Sequence, residues 1–374
     1  MQTVMAAYAV TLDDATAVSR AFPQPPHPYR NPFQRDRDRI LHARAFRRLA
    51  GKTQVFTRRY SDHIRSRLTH TLEVTQIART LAGALGLNAD LAEALALVHD
   101  IGHPPFGHAG ERTLHTLLLP HGLTFDHNLH ALRIVEHFEQ RYPGFRGLNL
   151  TLAVREGIIK HSRDYKSAEH PELAEYFLDQ RPPLEAQLID LADEIAYLTA
   201  DLDDGIESGL VQRDDALANL PQVAAFYNAS QAAFPGAWSK LNMNEAIKAW
   251  LNALADDLVQ NTRRNLADAN IRSLADVRRW PYRLAALSPE VEAQRAAAKS
   301  YLQRSLYNNP ELDAEKQLAS EVITTLFQRW MQHPELLPLH QQKLAEESGL
   351  PRTIADYIAG MTDEYILQMY AEIG

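Results

Sequence analysis

Four residues of this sequence offer donor atoms suited to a single cation: His70, the adjacent pair His99-Asp100, and Asp193. Two imidazoles and two carboxylates form a borderline-hard set that suits Mg, Mn, Fe or Zn and leaves coordination positions for water and phosphate oxygens. Taken singly, most of these residues have a plain structural reading. His70 opens the helical stretch Arg67-Leu68-Thr69-His70-Thr71-Leu72-Glu73-Val74, where a lone histidine is usually a part-buried structural group. Asp190, Asp193, Tyr197 and Asp201 follow one another at spacings of 3, 4 and 4 and so share one helix edge, which usually faces solvent. His99-Asp100 is less ordinary, because it closes the apolar run Leu95-Ala96-Leu97-Val98 and sets a carboxylate at the negative end of a helix dipole. A bound cation reverses that penalty. Together the four residues point to a metal-dependent hydrolytic site. The chain has no cysteine, so thiolate catalysis, disulfides and Cys-based zinc or iron–sulfur centres are excluded, and any metal must rest on His, Asp or Glu.

The elements that would carry these residues read as helices throughout. Strand-like alternation is nearly absent, no fixed-period repeat occurs, and the expected fold class is all-α. From His70 the apolar positions Val74, Ile77, Leu81 and Leu85 keep helical spacing up to Gly86, a stop signal, after which Asn88 can cap a helix bearing Leu91, Leu95 and Val98. That helix must end near Asp100, before Gly102, Pro104 and Pro105. A third clear helix starts after Pro182-Pro183, with Leu184, Leu188, Leu191, Ile195 and Leu198 as its buried stripe. The proline-rich Phe22–Pro32 stretch reads as an extended arm or linker. The expected organisation is an arm over 1–32, a catalytic core over 33–215 and a helical C-terminal region over 216–374 packed on that core.

Charge and histidine are both segregated. The net charge is −8, yet Arg30 to Arg67 holds 12 basic residues against Asp36, Asp38 and Asp62, an excess of nine that leaves −17 for the rest. Such a segment reads either as a solvated helix face or as a contact for polyphosphate or nucleic acid. Eight of the 16 histidines fall between His99 and His137, a density that packing alone does not explain.

The order His, His-Asp, Asp on helices resembles the HD-domain metal-dependent phosphohydrolases, and longer motifs sharpen the likeness. His99-Asp100-Ile101-Gly102-His103-Pro104-Pro105-Phe106-Gly107-His108-Ala109-Gly110-Glu111 is similar to the signature of bacterial deoxyguanosine triphosphate triphosphohydrolase-like proteins. So are Phe46–Phe56, Ala192-Asp193-Glu194-Ile195-Ala196-Tyr197, and Asp356–Asp363. The likeness runs from about residue 30 to the C-terminus. It implies an HD-domain helical core with His70, His99, Asp100 and Asp193 as ligands of one divalent metal, and His108 with Glu111 as a catalytic pair. Residues three apart on a helical turn face the same way, and a carboxylate oriented on an imidazole fixes its tautomer and raises its basicity. The resemblance further places Gln54, Tyr197 and Asp201 around a deoxyribose and Arg67 on a phosphate. At about 1.5 Å per residue, Asp193 and Asp201 stand about 12 Å apart along the helix axis, enough for phosphate at one end and sugar at the other.

Two departures bear on the substrate. Glu194 stands where some vertebrate relatives carry a phosphate-binding lysine, so neutralisation must come from elsewhere, with Arg65, Arg67 and Lys160 as candidates. The run Phe125–Arg133 resembles the second subgroup of the bacterial family, with His127 and Asn128 as candidates to face the site. Lys160-His161 reads equally as pocket or as core edge.

The expected activity is hydrolysis of a deoxynucleoside triphosphate to deoxynucleoside and tripolyphosphate. A different HD phosphohydrolase, acting on a nucleoside monophosphate or an alarmone, is the nearest alternative. A nucleotide sensor or single-stranded nucleic-acid binder, using the basic segment with Phe33, Phe56 and Tyr60, is the rival from another class. The family likeness implies a homo-oligomer with nucleotide or single-stranded DNA as regulator. The start of the chain has no basic export region and carries Asp13 and Asp14, and no apolar run approaches membrane-spanning length, so no membrane partner is expected and the cytoplasm is the expected compartment.

Overall fold

The computed structural model describes residues 5–55 and 63–373; Phe56, Tyr60, Arg58 and Arg59 of the basic segment lie outside them. The described residues form helices joined by loops, with only isolated β-bridges such as Arg20 to Thr151 and Thr53 to Ser66. The first half comprises α1 (Pro32–Leu41), α2 (Arg44–Arg48), α3 (Arg67–Leu85), α4 (Ala89–Val98), α5 (Gly107–Leu118), α6 (His127–Arg133), α7 (Leu152–Ile159) and α8 (Leu184–Glu207). The second comprises α9 (Arg213–Asn219), α10 (Pro221–Ala233), α11 (Ser239–Asp268), α12 (Leu274–Arg279), α13 (Pro289–Leu302), α14 (Pro310–Gln332), α15 (Leu339–Ser348), α16 (Leu350–Ala359) and α17 (Asp363–Ile373). Among the described residues no helix is long and apolar enough to cross a membrane.

Local signals explain where the site-bearing helices begin and end. Ser66 caps α3, accepting from the Thr69 amide, and Gly86 closes it in the left-handed region at φ 70°. Asn88 caps α4 through the Leu91 amide, and α4 stops at Val98, with His99 as its C-cap. Asp100 therefore sits just past the carbonyl end of a helix whose last turn, Leu95–Val98, is apolar, as its sequence position implied.

Two apolar cores hold these helices. In the larger, α3 packs against α4 and α8 through Val74, Ile77, Leu81, Leu91, Leu95, Leu188 and Ile195, all nearly or fully buried. This core extends from Ala9 to Leu312 and so takes in parts of α10 to α13. Residues 5–31, read from sequence as an arm, are without helix but dock on it. Ala9, Val10 and Ala17 are buried, the Val10 amide donates to buried Glu185, and Arg20 reaches Asp36 at 2.6 Å. The smaller core joins Leu114 and Leu118 of α5 and Phe125 to Val322, Ile323, Leu326, Phe327 and Trp330 of α14 and Ile354 and Ile358 of α16. Helix α5, which carries His108 and Glu111, is therefore seated on the C-terminal helices.

The basic stretch is largely engaged within the fold. Arg30 and Arg37 pair with Asp38, Arg39 donates to the Leu148 and Asn149 carbonyls, and Arg48 donates to the Gly360 carbonyl. Buried Lys52 donates to the carbonyls of His103 (2.6 Å) and Ala359 (2.8 Å). Burial pushes the Lys52 ammonium down to about 7.

Candidate active site

The site forms where the first turn of α3, the loop after α4, the start of α5 and the middle of α8 converge. Arg67 and His70, three apart on α3, project to the same side. The Arg67 guanidinium donates to Asp100 Oδ2 at 2.7 Å, and His70 Nε2 lies 2.8 Å from Asp193 Oδ1. His99 Nδ1 is 2.7 Å from the Ala96 carbonyl, a contact that assigns the proton to Nδ1 and leaves a lone pair on Nε2. That buried Nε2 has no hydrogen-bond partner among the described residues. It lies 3.5 Å from Asp100 Oδ1 and 3.8 Å from Asp193 Oδ1. An unpartnered imidazole nitrogen between two carboxylates fits a divalent cation, and the donor atoms of His70, His99 and Asp100 lie within 4.8 Å of one another. His99, His161 and Asp193 form a second such group. His103, His108 and Glu111 form a third, so that among the described residues three groups along the site could hold a metal.

Electrostatics keep both carboxylates ionised. Burial opposes the charge on Asp100, but Arg67 and the His99 and His103 imidazoles outweigh it and hold the carboxyl well below the usual range. Burial opposes ionisation of Asp193 as well, and the hydrogen bond and charge of His70 hold it down. His70 is raised in turn: burial lowers it, and Asp193 overcomes burial. Burial lowers His99, which favours its neutral imidazole.

From the ligands a row of imidazoles and carboxylates leads to α5. His103 Nδ1 is 2.9 Å from Asp100 Oδ1, and its ring stacks on His127 with centroids 4.1 Å apart. Glu111 Oε1 accepts from the His127 amide at 3.0 Å and lies 2.8 Å from its Nδ1, while Oε2 lies 3.1 Å from His108 Nδ1. Burial opposes the Glu111 charge, yet the hydrogen bonds from His108 and His127 take its carboxyl far below the usual range. Glu111 thus orients two imidazoles, and His108, with its side chain 67% exposed, is the one open to a ligand.

The remaining sequence candidates are placed as follows. Asn128 is buried; its Nδ2 donates to the His161 carbonyl, and among the described residues its Oδ1 lacks a partner, as does buried Oε1 of Gln54. Tyr197 and Asp201 share the α8 edge with Asp193. The Lys299 ammonium stands 5.6 Å from the Tyr197 ring centre, and Asp201 accepts a very short hydrogen bond from Tyr307, which lies in the π-helical turn Gln303–Tyr307. Lys160 is not brought to the others: its ammonium is buried in a cage made by Glu156 (2.8 Å) and the carbonyls of Phe177 and Gln180. Arg65 is held by Glu73, Asp203 and Asp204.

Sequence reasoning missed the groups that answer Glu194. Arg295 and Lys299 of α13 both pair with it. Their i,i+4 spacing is that of any solvated helix face, so no local signal marks them; only the packing of α13 on α8 does. His161, left open between pocket and core, has Nδ1 2.7 Å from Asp190 and its ring centre 5.2 Å from that of His99. It belongs to the site's wall.

Residues 67–198 match the HD domain family and residues 285–372 match the phosphohydrolase-associated domain family. With the His/Asp cluster, these matches define the class as an HD-domain phosphohydrolase. The chain is 45% identical over 370 residues to a deoxyguanosinetriphosphate triphosphohydrolase-like protein of Azoarcus sp. (strain BH72), covering 99% of this chain and 96% of that one. Proteins of the same name from Ralstonia nicotianae (44% over 360 residues, 96% and 92% covered) and Leptospira interrogans (39% over 375 residues, 99% and 96% covered) are also similar. The chain belongs to the family of deoxyguanosinetriphosphate triphosphohydrolase-like proteins.

Two expectations follow from this geometry. His99→Ala and Asp193→Ala should each lose bound metal together with hydrolysis, because a three-ligand remnant is weak; undiminished metal by elemental analysis in the folded variants would refute the assignment. The second concerns pH. Burial pushes Asp201 up to about 7 against the Tyr307 hydrogen bond. Between its unfolded value of about 4 and that raised value the native state holds the extra proton, so this group makes stability fall as pH rises through the window. Asp201→Asn should therefore gain stability over the wild type at pH 8, and that advantage should shrink steadily as pH falls and vanish below about pH 4, measured by urea denaturation of metal-free protein. A difference independent of pH would show that Asp201 is ionised throughout.

Proposed function

We propose that the protein is a metal-dependent triphosphohydrolase that converts a deoxynucleoside triphosphate and water into the deoxynucleoside and tripolyphosphate. The observation that carries this reading is the continuous array from the His70/His99/Asp100/Asp193 set through His103 and His127 to the Glu111-oriented His108. A binding module needs no second, separately oriented imidazole beside a ligand set. One divalent ion, Mg, Mn, Fe or Zn, held by those four residues would lower the pKa of water and polarise an α-phosphoryl oxygen.

The protein's own groups supply the rest. Water oxygen bonds to the α-phosphorus, the bond from that phosphorus to the sugar O5′ breaks, and a proton reaches O5′ as the deoxynucleoside leaves. His108, held through Nδ1 by Glu111, is the group suited to handle a proton in this step. Gln54, with its unpartnered Oε1, and Asp201 face the sugar, Tyr197 covers its 2′ side, and His127 and Asn128 complete the wall. Arg67 stands beside the phosphates, with its charge also engaged by Asp100; Lys299 and Arg295 at the Tyr197 edge add the positive charge that Glu194 does not. Lys160, caged elsewhere, has no part in it. On the same reading the enzyme works in the cytoplasm as a homo-oligomer, with nucleotide or single-stranded DNA as regulator.

Incubation with each deoxynucleoside triphosphate and with mixtures, in Mg and in Mn, tests the reaction by chromatography of the products. Tripolyphosphate supports it; orthophosphate or pyrophosphate points to another HD phosphohydrolase, and no turnover with tight nucleotide binding points to a sensor. His108→Ala should keep metal and nucleotide binding while the rate falls about 10²–10⁴-fold; near-normal turnover would remove His108 from the chemistry.

A further inference from the structure

We propose that Asp363, at the start of α17, is a positioning residue for the hydrolytic site, clamping the turn that launches His108 to the segment that carries Gln54. The proposal rests on the reading above, in which His108 handles a proton and Gln54 meets the substrate.

Asp363 comes from a part of the chain far from both segments. Its Oδ2 accepts from the Thr53 amide at 2.7 Å and from the Thr53 hydroxyl at 2.5 Å, and its Oδ1 accepts from the Phe106 amide at 2.9 Å. One carboxylate thus joins the residue before Gln54 to the residue two before His108. The carboxylate is not needed to cap its own helix, because the Thr362 hydroxyl accepts from the Tyr365 amide and fills that role.

The turn it grips is of a kind that does not hold itself. Phe106 precedes α5 in the left-handed region at φ 61° and makes no side-chain cap, and Gly107 follows at φ 55°. A bulky residue in that region persists only where its surroundings over-determine it. The corner is also crowded: a Cβ at Gly107 would stand 2.9 Å from Arg67 Nη2 and 3.7 Å from the Thr53 and Gln54 carbonyls. Movement of the turn would reach Arg67, and through it Asp100, as well as His108. Other fixings of α5 and the loop before it come from the same C-terminal region, since Lys52 links the His103 and Ala359 carbonyls and Leu114 and Leu118 lie in the smaller core, while Glu111 ties α5 to His127. Those contacts seat the helix, and Lys52 ties the loop before it at the His103 carbonyl; Asp363 bonds the turn itself, at the Phe106 amide, to Thr53.

The test compares Asp363→Asn, which keeps the shape but offers one acceptor oxygen to three donors, with Arg48→Ala. The latter removes a bond to the Gly360 carbonyl from the same region without touching either segment. Asp363→Asn is expected to keep its bound metal and helical content, to lose about 10–100-fold in kcat with a smaller rise in KM, and to exchange amide hydrogens faster over residues 103–110. Arg48→Ala should keep kcat. A kcat within threefold of wild type in folded Asp363→Asn, or an equal loss in Arg48→Ala, overturns the proposal. Should the wild type release no tripolyphosphate, the reaction proposed above fails while the clamp is still decided, because amide exchange needs no nucleotide. Faster exchange in Asp363→Asn than in Arg48→Ala supports it, and equal exchange overturns it.

Discussion

A buried carboxylate at the wrong end of a helix is the constraint that organises this protein. Asp100 follows the carbonyl terminus of α4, and its side chain is only 6% exposed, so both the helix dipole and the loss of solvent oppose its charge. Neutralisation by a proton is one remedy, yet the surroundings are arranged for the other. Arg67 bonds one oxygen, His103 lies at hydrogen-bonding distance from the second, and the unprotonated face of His99 turns toward the same space. Removing Arg67 or His103 would weaken that compensation of a buried charge, which is why the first turn of α3 and the loop after α4 must meet at one place.

The same logic extends outward along the imidazoles. His103 stays neutral, since burial lowers it well below the ordinary histidine value, and a neutral ring can stack on His127 without repulsion. Glu111 is doubly bonded and stays ionised. Burial therefore falls off along the row, from the nearly inaccessible His70, His99 and Asp100 to the open His108 ring. A group that exchanges protons with a substrate needs that opening, while the ligands need its opposite. The C-terminal helices matter because they hold the exposed end of the row, which has no burial of its own to fix it.

Much of this was legible in the sequence, for identifiable reasons. Helix ends were marked by residues acting locally: Gly86 closes α3 through its left-handed backbone and Asn88 caps α4 through its side chain, as their types require. The meeting of His70, His99, Asp100 and Asp193 was readable because His99-Asp100 contradicts the apolar pattern around it, and the contact of His108 with Glu111 because three-residue spacing on a helix enforces proximity. Contacts between distant segments left no such trace. Lys160 has the composition of a phosphate-binding lysine, and only the fold shows Glu156 and two carbonyls closing around it. Residues 5–31 are rich in turn residues, yet Val10 and Ala17 belong to the core, because a few apolar side chains suffice to dock an irregular segment.

The charge pattern around α8 shows how the two halves of the chain depend on one another. Glu194 follows Asp193 directly and adds a negative charge where the proposed triphosphate would bring several more. Left alone, that edge would repel the substrate. Arg295 and Lys299 answer it, and they come from the region that matches the phosphohydrolase-associated family. With side chains 16% and 52% exposed, they are screened to different degrees: Arg295 is shared with Glu292 and Glu194 and partly buried, whereas Lys299 is more solvated and lies over the Tyr197 ring. An entering polyanion would compete with Glu194 for the looser of the two, so Lys299 is the cation able to change partners without leaving a buried charge behind. On the proposed reading, the HD-matching region thus supplies the ligands and the proton-handling pair, and the C-terminal region supplies the charge that lets an anion approach them.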